Sequence, residues 1–322
     1  MPRTVLVTGA AGFIGSHVSA ALAARGDGVV GLDNFDSFYR RSDKQRNLAE
    51  VGRAAGSLFR FEEGDLTDEA TLARVFCAHP ITGVIHLAGR AGVRPSLADP
   101  AGYMHTNVTG TARVLRAAQR AGCDRVVIAS SSSVYGNAEH SPFREDQDVS
   151  RPISPYAASK RACELLAYAH HTATRQPVSL LRFFTVYGPR QRPDLAIMSF
   201  MRAVAAGQPI RVFGDGSTAR DYTYVDDIVA GVLGAFERTP AHGYRVWNLG
   251  NNRPVTLTRM VEAIEETVGK RAIVQREGVQ TGDVDLTCAD ITRSADELGY
   301  RPAVPFEEGL VRQWAWARQA QG

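Results

Sequence analysis

The sequence has little of the chemistry that marks secreted, membrane-spanning or metal-binding proteins. Its four cysteines, Cys77, Cys123, Cys163 and Cys288, are scattered and form no CxxC pair, which favours free thiols in a reducing cytoplasm. The eight histidines show no HExxH-type spacing, so the sequence gives no support for a metal site. No apolar run reaches the roughly 18 residues that a membrane-spanning helix needs.

An excess of charge is also missing. The net charge is +3, which is too small to indicate a nucleic-acid partner. The first apolar strand begins at about Arg3 or Thr4, so we expect no signal peptide ahead of it and a cytoplasmic protein. With 322 residues, of which 44% are hydrophobic and 22% charged, the chain is long enough for a large core and two lobes.

What the sequence does contain is a glycine-rich turn near its beginning. The apolar run 5–7 leads into Thr8–Gly15 (TGAAGFIG), and a helical pattern follows from Phe13 to about Arg25. The three glycines allow a tight turn, and the N–H groups at the start of the helix suit a pyrophosphate. The next strand ends at Asp33, whose carboxylate can accept hydrogen bonds from ribose hydroxyls and would repel a 2′-phosphate. We therefore predict NAD rather than NADP, and a turn without a ligand is the minor alternative.

The polar segment after Asp33 is interpreted as a loop near the adenosine or the start of a helix. Its Arg40 and Arg41 resemble a 2′-phosphate site, but a solvated loop agrees better with Asp33. Asp65 follows another strand pattern, on the side where open α/β sheets bind ligands. His86 lies inside a buried strand, which favours a packed histidine over an acid or a base.

A tyrosine and a lysine have the spacing of a proton-transfer pair. Ser154 is a good N-cap and Pro155 suits the first helical position, so Tyr156 and Lys160 should lie on one face of a helix. The lysine ammonium and a positive nicotinamide both favour phenolate over phenol. Ser131, in a run of four serines at a strand tip, can hydrogen-bond the same substrate oxygen. Together these groups can take a proton from an alcohol while a hydride leaves its carbon.

Short apolar strands alternate with amphipathic helices through the first half of the chain, and the pattern changes after Val186. This alternation predicts an α/β fold with a Rossmann-type doubly wound parallel sheet. We expect an NAD-binding domain formed by residues 1–186 plus 221–254. A smaller, interleaved C-terminal lobe, residues 187–220 plus 255–322, is expected to bind the substrate.

These motifs resemble those of the extended short-chain dehydrogenases/reductases, in the branch of sugar-nucleotide epimerases. The resemblance covers nearly the whole chain and includes TGAAGFIG, LDNF, GDLTD, HLAG, SSSSVYG, SPYAASK, LRFFTVYGP, VFGDG, RDYTYVDD and NLG. It implies catalysis by Ser131, Tyr156 and Lys160. It implies that NAD is bound by Gly9, Gly12, Phe13, Ile14, Gly15, Asp33, Asn34, Asp65, Leu66, Leu87, Ala88, Asn107, Tyr156, Lys160 and Phe184.

The resemblance further implies a UDP-sugar substrate, and its details favour a uronic acid. Dehydratases of this branch carry Asp-Glu where Ser132 and Ser133 stand, which argues against dehydration. Segments 90–96 and 185–194 are similar to those of UDP-glucuronate 4-epimerases. Arginine suits the added carboxylate; Arg192 is our first choice and Arg94 the second, and the alternative is that Arg192 binds phosphate or pairs with a neighbouring carboxylate. The substrate-binding residues implied are Arg94, Ser132, Ser133, Thr185, Arg192, Val212, Arg220, Gln280 and Asp283, although some family members have arginine in place of Gln280.

The activity implied is epimerisation at C4 of UDP-glucuronate to UDP-galacturonate. Tyr156 removes the O4 proton while NAD takes the C4 hydride, the 4-keto sugar turns over, and the hydride returns to the opposite face. A clamped carboxylate would also be kept out of the alignment that loses CO₂. The alternatives are a UDP-glucose/UDP-galactose 4-epimerase, a net dehydrogenase or decarboxylase of nucleotide sugars, and a non-catalytic NAD-binding module. The family further implies a homodimer, formed by the helices around Thr111–Ala121 and Tyr156–His171.

Overall fold

The computed structural model describes residues 3–138, 140–278 and 284–319. The strands are β1 (Thr4–Thr8), β2 (Gly28–Asp33), β3 (Phe59–Glu63), β4 (Gly83–His86), β5 (Arg125–Ser131), β6 (Val178–Phe183), β7 (Thr185–Tyr187), β8 (Pro209–Phe213), β9 (Ala219–Tyr224), β10 (Tyr244–Leu249), β11 (Pro254–Thr256) and β12 (Ile273–Glu277). The helices are α1 (Phe13–Ala24), α2 (Arg41–Ala55), α3 (Glu69–Ala78), α4 (Val93–Ala98), α5 (Pro100–Tyr103), α6 (Gly110–Arg120), α7 (Pro155–Thr174), α8 (Ala196–Ala205), α9 (Val225–His242), α10 (Leu257–Val268), α11 (Thr292–Leu298) and α12 (Phe306–Gln319).

Seven strands form the central sheet, in the order β10-β6-β5-β4-β1-β2-β3, and every neighbouring pair is parallel. One apolar layer packs helices α1, α2 and α9 against the sheet, and the other packs α3, α6 and α7. The strand order changes direction between β1 and β4, which opens a ligand crevice at their carboxyl ends. The predicted doubly wound α/β fold is therefore confirmed.

The smaller sheets lie in the second half of the chain. Strands β11, β9 and β7 form one, and β12 pairs with β8 in the other. Strand β9 thus pairs outside the large sheet although most of it falls in the segment 221–254 that we assigned to the NAD-binding domain; α9, from the same segment, packs on the large sheet. The domain boundaries stay a prediction. Among the described residues, no helix combines the length and apolarity needed to cross a membrane.

The structure agrees with the expected helix start after Asp33 and divides the helix that precedes β5. The polar segment after Asp33 turns into α2 at Arg41, whose guanidinium pairs with Glu63 at 2.7 Å and lies 4.1 Å from the centre of the Phe35 ring. The helix that precedes β5 is not uniform, because Met104–Thr109 is a π-helical segment between α5 and α6. Such insertions are frequent next to functional sites.

A buried ion pair joins the sheet to α7. Glu164 and Arg182 are 0% and 2% exposed, and the Glu164 carboxylate accepts two hydrogen bonds of 2.9 Å from the guanidinium. It also accepts a bond of 2.6 Å from the Ser130 hydroxyl. Burial alone would raise the pKa of Glu164, but Arg182 holds it below its usual value. The pair therefore fixes the helix that carries Tyr156 against the tip of β5.

The substitution Glu164→Gln is expected to lower the stability of the fold by about 3 kcal/mol, since it leaves the Arg182 charge buried without its counter-ion. In a thermal unfolding scan at saturating NAD this corresponds to a decrease in Tm of roughly 5–10 °C. The matched control is Asp146→Asn, which removes a partner of Arg144 in an exposed pair and should change Tm very little. Equal Tm values for the two variants would contradict the assigned role.

Candidate active site

A cavity of about 410 Å³ lies at the carboxyl ends of the central strands. It extends from the glycine turn at one end to the helix of Tyr156 and Lys160 at the other. The predicted site residues that line it are Gly9, Gly12, Phe13, Ile14, Gly15, Asp33, Asn34, Asp65, Leu66, Leu87, Ala88, Ser131, Ser132, Ser133, Tyr156, Lys160, Phe184, Thr185 and Arg192.

The glycine turn has the packing that excludes larger residues. Gly9 has φ +71°, and a Cβ there would lie 2.9 Å from the Cα of Ala88. A Cβ on Gly15 would lie 2.1 Å from the carbonyl oxygen of Gly9. Helix α1 follows directly, and its N-cap residue, Gly12, has no side chain to satisfy the first N–H groups. The N–H groups of Gly9, Ala10, Ala11 and Gly12 are bonded within the protein. The first N–H groups of α1 have no capping side chain, so the helix start presents backbone donors and a helix dipole to the cavity, as a phosphate requires.

Two carboxylates stand near this turn. Asp33 accepts hydrogen bonds from the backbone N–H groups of Phe35, at 2.8 Å, and Ala11, at 3.2 Å. Burial raises its pKa, an effect that the nearby Lys44 charge opposes. Asp65 is fixed by the Thr67 hydroxyl and by an amide N–H of Asn34, at 2.7 and 2.9 Å. Both side chains are held in place by the protein and retain oxygens that face the cavity, which suits them to hydroxyl or amino groups of a nucleoside.

The predicted proton-transfer pair lies on the first turns of α7. The Ser154 hydroxyl accepts a hydrogen bond of 3.1 Å from the N–H of Ala157, so the predicted N-cap is present. Tyr156 is 9% exposed, and its ring meets that of Tyr103 edge to face with centroids 6.2 Å apart. The Lys160 ammonium donates to the carbonyl of Ala129 at 2.9 Å. Helical spacing and these contacts direct both side chains into the same cavity.

The serine run supplies the facing hydroxyl groups. Ser131 is the last residue of β5. Its hydroxyl donates a hydrogen bond of 3.2 Å to the Ser133 hydroxyl and accepts one of 3.2 Å from the Ser133 N–H. Behind them, Ser130 is tied to Glu164. The tip of the strand is therefore held in place, and Ser131, Ser132 and Ser133 line the same cavity as Tyr156.

His86 is a packed histidine, as its position inside a strand predicts. Its two ring nitrogens lie 2.7 Å from the Thr8 hydroxyl and 3.1 Å from the Thr111 hydroxyl. Burial, with a smaller contribution from the Lys160 charge, lowers the pKa of His86 to about 3. The imidazole is neutral at physiological pH and fixes β4 against α6.

Arg192 brings a cation to the end of the cavity near Tyr156. Its side chain is only 16% exposed, and its guanidinium donates two hydrogen bonds to Asp194, at 2.7 and 3.0 Å. The guanidinium also lies 4.7 Å from the centre of the Phe38 ring. Burial lowers the pKa of Arg192, but Asp194, with contributions from Tyr156 and Tyr39, raises it, and the pKa lies above its usual value. The group therefore stays charged.

The loop that carries Arg192 is held from several directions. The carbonyl oxygen of Pro189 lies 2.9 Å from the His17 ring of α1, and the Arg190 guanidinium donates to Glu50 of α2 at 2.7 Å. The Gln191 amide accepts a bond of 2.6 Å from Gln313 of α12. These contacts come from elements far apart in the sequence, so the position of Arg192 depends on the assembled fold.

Four predicted site residues lie outside the cavity lining. Asn107 is behind it, where its amide binds the backbone N–H and carbonyl of Arg90 at 2.8 and 3.0 Å. Arg94 is on the exposed side of α4, with its guanidinium 5.0 Å from the centre of the Phe213 ring. Val212 is buried in β8, and Arg220 donates to the carbonyl of Ala219 in β9. Gln280 and Asp283 lie outside the described residues.

Several lining residues were not predicted. They include Asp36, Phe38, Tyr39, Lys44, Arg90 and Leu195. The first four belong to the polar segment after Asp33. Two neighbouring aromatic residues, Phe38 and Tyr39, lie among charged residues there, and this pattern could have indicated a surface that faces the ligand. Arg90 is fixed by Asp99, at 2.6 Å, and by Asp36, at 3.3 Å.

Comparison with known proteins agrees with this geometry. Residues 5–250 match the model of the NAD-dependent epimerase/dehydratase family. The chain belongs to that family. This epimerase is 39% identical over 315 residues to a UDP-glucuronate 4-epimerase of Thermodesulfobacterium geofontis, with 98% of this chain and 96% of the relative covered. The family resemblance seen in the sequence is thus confirmed.

Solved structures of sugar-nucleotide 4-epimerases superimpose on the chain over nearly its whole length. The epimerase superimposes with a TM-score of 0.92 on UDP-glucuronic acid 4-epimerase from Bacillus cereus in complex with UDP-glucuronic acid and NAD, at 33% identity and with 99% and 100% of the two chains covered. It superimposes with a TM-score of 0.90 on UDP-glucose 4-epimerase from Thermotoga maritima with UDP-glucose, at 31% identity and with 99% and 100% covered. The family and the NAD-bound structure from Bacillus cereus confirm NAD as the cofactor of this epimerase. The glycine turn and Asp33 fit it, because the turn offers phosphate donors and the carboxylate offers ribose acceptors.

Proposed function

We propose that this epimerase interconverts UDP-glucuronate and UDP-galacturonate by inverting C4 of the sugar. The observation that carries the proposal is that Arg192 lines the same cavity as Tyr156, Ser131 and Lys160. A hexuronate differs from a hexose by one carboxylate, and a half-buried guanidinium is the side chain best suited to bind it. The named activity of the relatives supports this choice.

The chain's own residues supply the proton transfer. Tyr156 removes the proton from the C4 hydroxyl and later returns it, while Ser131 hydrogen-bonds the same oxygen and sets its angle. The Lys160 ammonium, anchored on the carbonyl of Ala129, stabilises the negative charge that Tyr156 carries in between. Bound NAD supplies the acceptor and donor of the C4 hydride.

The carboxylate is held by Arg192 together with the hydroxyl groups of Ser133 and Thr185. In the described structure Asp194 occupies the fork of the guanidinium, so the substrate carboxylate binds its free edge or replaces Asp194. A carboxylate fixed in this way cannot rotate its C–C bond perpendicular to the plane of the C4 carbonyl, and loss of CO₂ is prevented.

The uridine diphosphate half belongs to the smaller lobe in this proposal. Arg220 and Val212 on neighbouring elements of that lobe, together with Gln280 and Asp283 of the undescribed segment, are the groups proposed to bind it. Arg94, exposed on α4 beside Phe213, stays the second candidate for binding the carboxylate. Asn107 acts indirectly, because its contacts position the loop of Arg90 that lines the cavity.

The second candidate is a UDP-glucose/UDP-galactose 4-epimerase, and the Arg192–Asp194 pair is the observation that favours it. If this ion pair stays intact when the substrate binds, the cavity presents a neutralised guanidinium and suits a hydroxymethyl group.

The test of the proposed function is to incubate the protein, without added cofactor, with UDP-glucuronate and separately with UDP-glucose. We expect UDP-galacturonate to form at least ten-fold faster than UDP-galactose; the reverse ratio overturns the proposal, and accumulating NADH or CO₂ identifies a dehydrogenase or a decarboxylase.

We further propose a cytoplasmic homodimer. Helix α7 exposes Leu165 and Tyr168, 55% and 57% accessible, beside α6, and such paired faces favour a bundle of two helices from each subunit. The four free thiols, of which only Cys77 is exposed, agree with a reducing compartment. Light scattering should give twice the mass of the chain, and a monomeric mass would contradict the dimer.

A further inference from the structure

Tyr39 carries a hydroxyl group that the fold buries without using. The residue lies between the end of β2 and the start of α2 and lines the cavity. Its oxygen is inaccessible and has no hydrogen-bond partner among the described residues. A buried hydroxyl is normally hydrogen-bonded, so an unused one at a ligand site points to a contact with the ligand.

The hydroxyl is next to the glycine turn. A Cβ built on Gly12 would lie 4.0 Å from the Tyr39 oxygen, and Gly12 immediately precedes α1. The Lys44 ammonium lies 4.7 Å from the centre of the Tyr39 ring and donates to the carbonyl of Asp36 at 2.7 Å. An uncapped helix start, a buried cation and a hydroxyl therefore surround one part of the cavity, and this combination suits an anion.

The Tyr39 hydroxyl keeps its proton near neutral pH. Burial, and then the charge of Asp33, raise the pKa of Tyr39 well above its usual value. The neutral phenol can donate one hydrogen bond, and a phosphate oxygen is the strongest acceptor that a dinucleotide offers to the glycine turn.

We propose that the Tyr39 hydroxyl donates a hydrogen bond to a phosphate oxygen of the bound dinucleotide and thereby slows the dissociation of NAD. This epimerase needs such retention because a cofactor that returns its hydride to the same sugar must stay in place through the turnover. The proposal holds for any sugar nucleotide as substrate, so it is independent of the choice between the two proposed activities.

The test compares Tyr39→Phe with Tyr224→Phe, since Tyr224 is a buried tyrosine of β9 outside the cavity lining. The rate of NAD loss is followed by diluting each holoenzyme and separating free from bound nucleotide over time. We expect Tyr39→Phe to lose NAD about ten-fold faster or more, since the bond is to a charged acceptor, and Tyr224→Phe to match the wild type. Thermal unfolding at saturating NAD checks that both variants are folded.

Competition experiments locate the contact. ADP and adenosine are each used to displace NAD. The substitution Tyr39→Phe should lower the affinity for ADP about ten-fold and leave the affinity for adenosine unchanged, since only ADP carries the phosphate. Equal weakening of both competitors, or an unchanged rate of NAD loss, overturns the proposal. An unchanged NAD rate with a raised KM for the UDP-sugar also overturns it, and assigns the hydroxyl to the substrate instead.

Discussion

Replacing Tyr156 with phenylalanine is expected to lower kcat by about 10²–10⁴-fold, the usual contribution of a positioned acid/base group. The substitution keeps the ring, its burial and its edge-to-face contact with Tyr103, so it removes only the oxygen that exchanges the proton. NAD content after purification should be unchanged, because the glycine turn and Asp33 are intact. The measurement pairs initial rates on UDP-glucuronate with the nucleotide released on denaturation.

The matched control for this variant is Tyr103→Phe. Tyr103 is the neighbouring tyrosine, and its hydroxyl donates to the carbonyl of Ala91 at 3.1 Å without lining the cavity. Its loss should reduce stability by about 1 kcal/mol and leave most of the activity. If Tyr156→Phe retains more than a tenth of the wild-type kcat, another group moves the proton and the proposed mechanism is wrong.

Arg192→Leu is expected to reduce kcat/KM for UDP-glucuronate by about 10–100-fold more than for UDP-glucose. Charge-assisted hydrogen bonds contribute about 1.5–3 kcal/mol, and only the uronate has the carboxylate that makes them. The leucine keeps apolar contact with Phe38, and the partly exposed Asp194 can be solvated when it loses its partner. Any UDP-glucuronate that still reacts should release more CO₂ per turnover, since its carboxylate is no longer held.

Arg94→Leu is the control for the clamp. Both changes remove one guanidinium, but Arg94 is exposed and outside the cavity lining, so the ratio of the two specificity constants should stay at the wild-type value. An equal loss of both substrates in Arg192→Leu would show that the arginine serves the common nucleotide or the fold. A selective loss in Arg94→Leu would transfer the clamp to that residue.

Much of the chemistry could be predicted from short segments. The order of strand, glycine turn and helix at residues 4–24 is fixed by local rules. Gly9 has φ +71°, a conformation that favours glycine, and the backbone leaves no room for a side chain at Gly15. Likewise Ser154 and Pro155 start a helix wherever they occur before helix-forming residues, and helical spacing then places Tyr156 and Lys160 on one face. These features depend on neighbours within a few residues, so they are visible before folding.

Other features could not be predicted in this way. The sequence made Arg192 the first choice and Arg94 the second for the carboxylate, but it could not show which of them lines the cavity. It placed Phe38 and Tyr39 only in a polar segment near the adenosine and did not assign their contacts. Asn107 looked like a direct contact but lies behind the loop of Arg90.

The amino-acid sequence by itself determined the α/β fold, the choice of NAD and the position of Tyr156 and Lys160 on one face of a helix, since each follows from backbone constraints and spacing along one element. Only the tertiary structure decided which arginine lines the cavity and which tyrosine hydroxyl stands beside the glycine turn. Those answers depend on the path of two loops, and the loop that carries Arg192 is fixed by side chains from α1, α2 and α12. Contacts between residues so far apart in the chain form only when the sheet and its helices have packed.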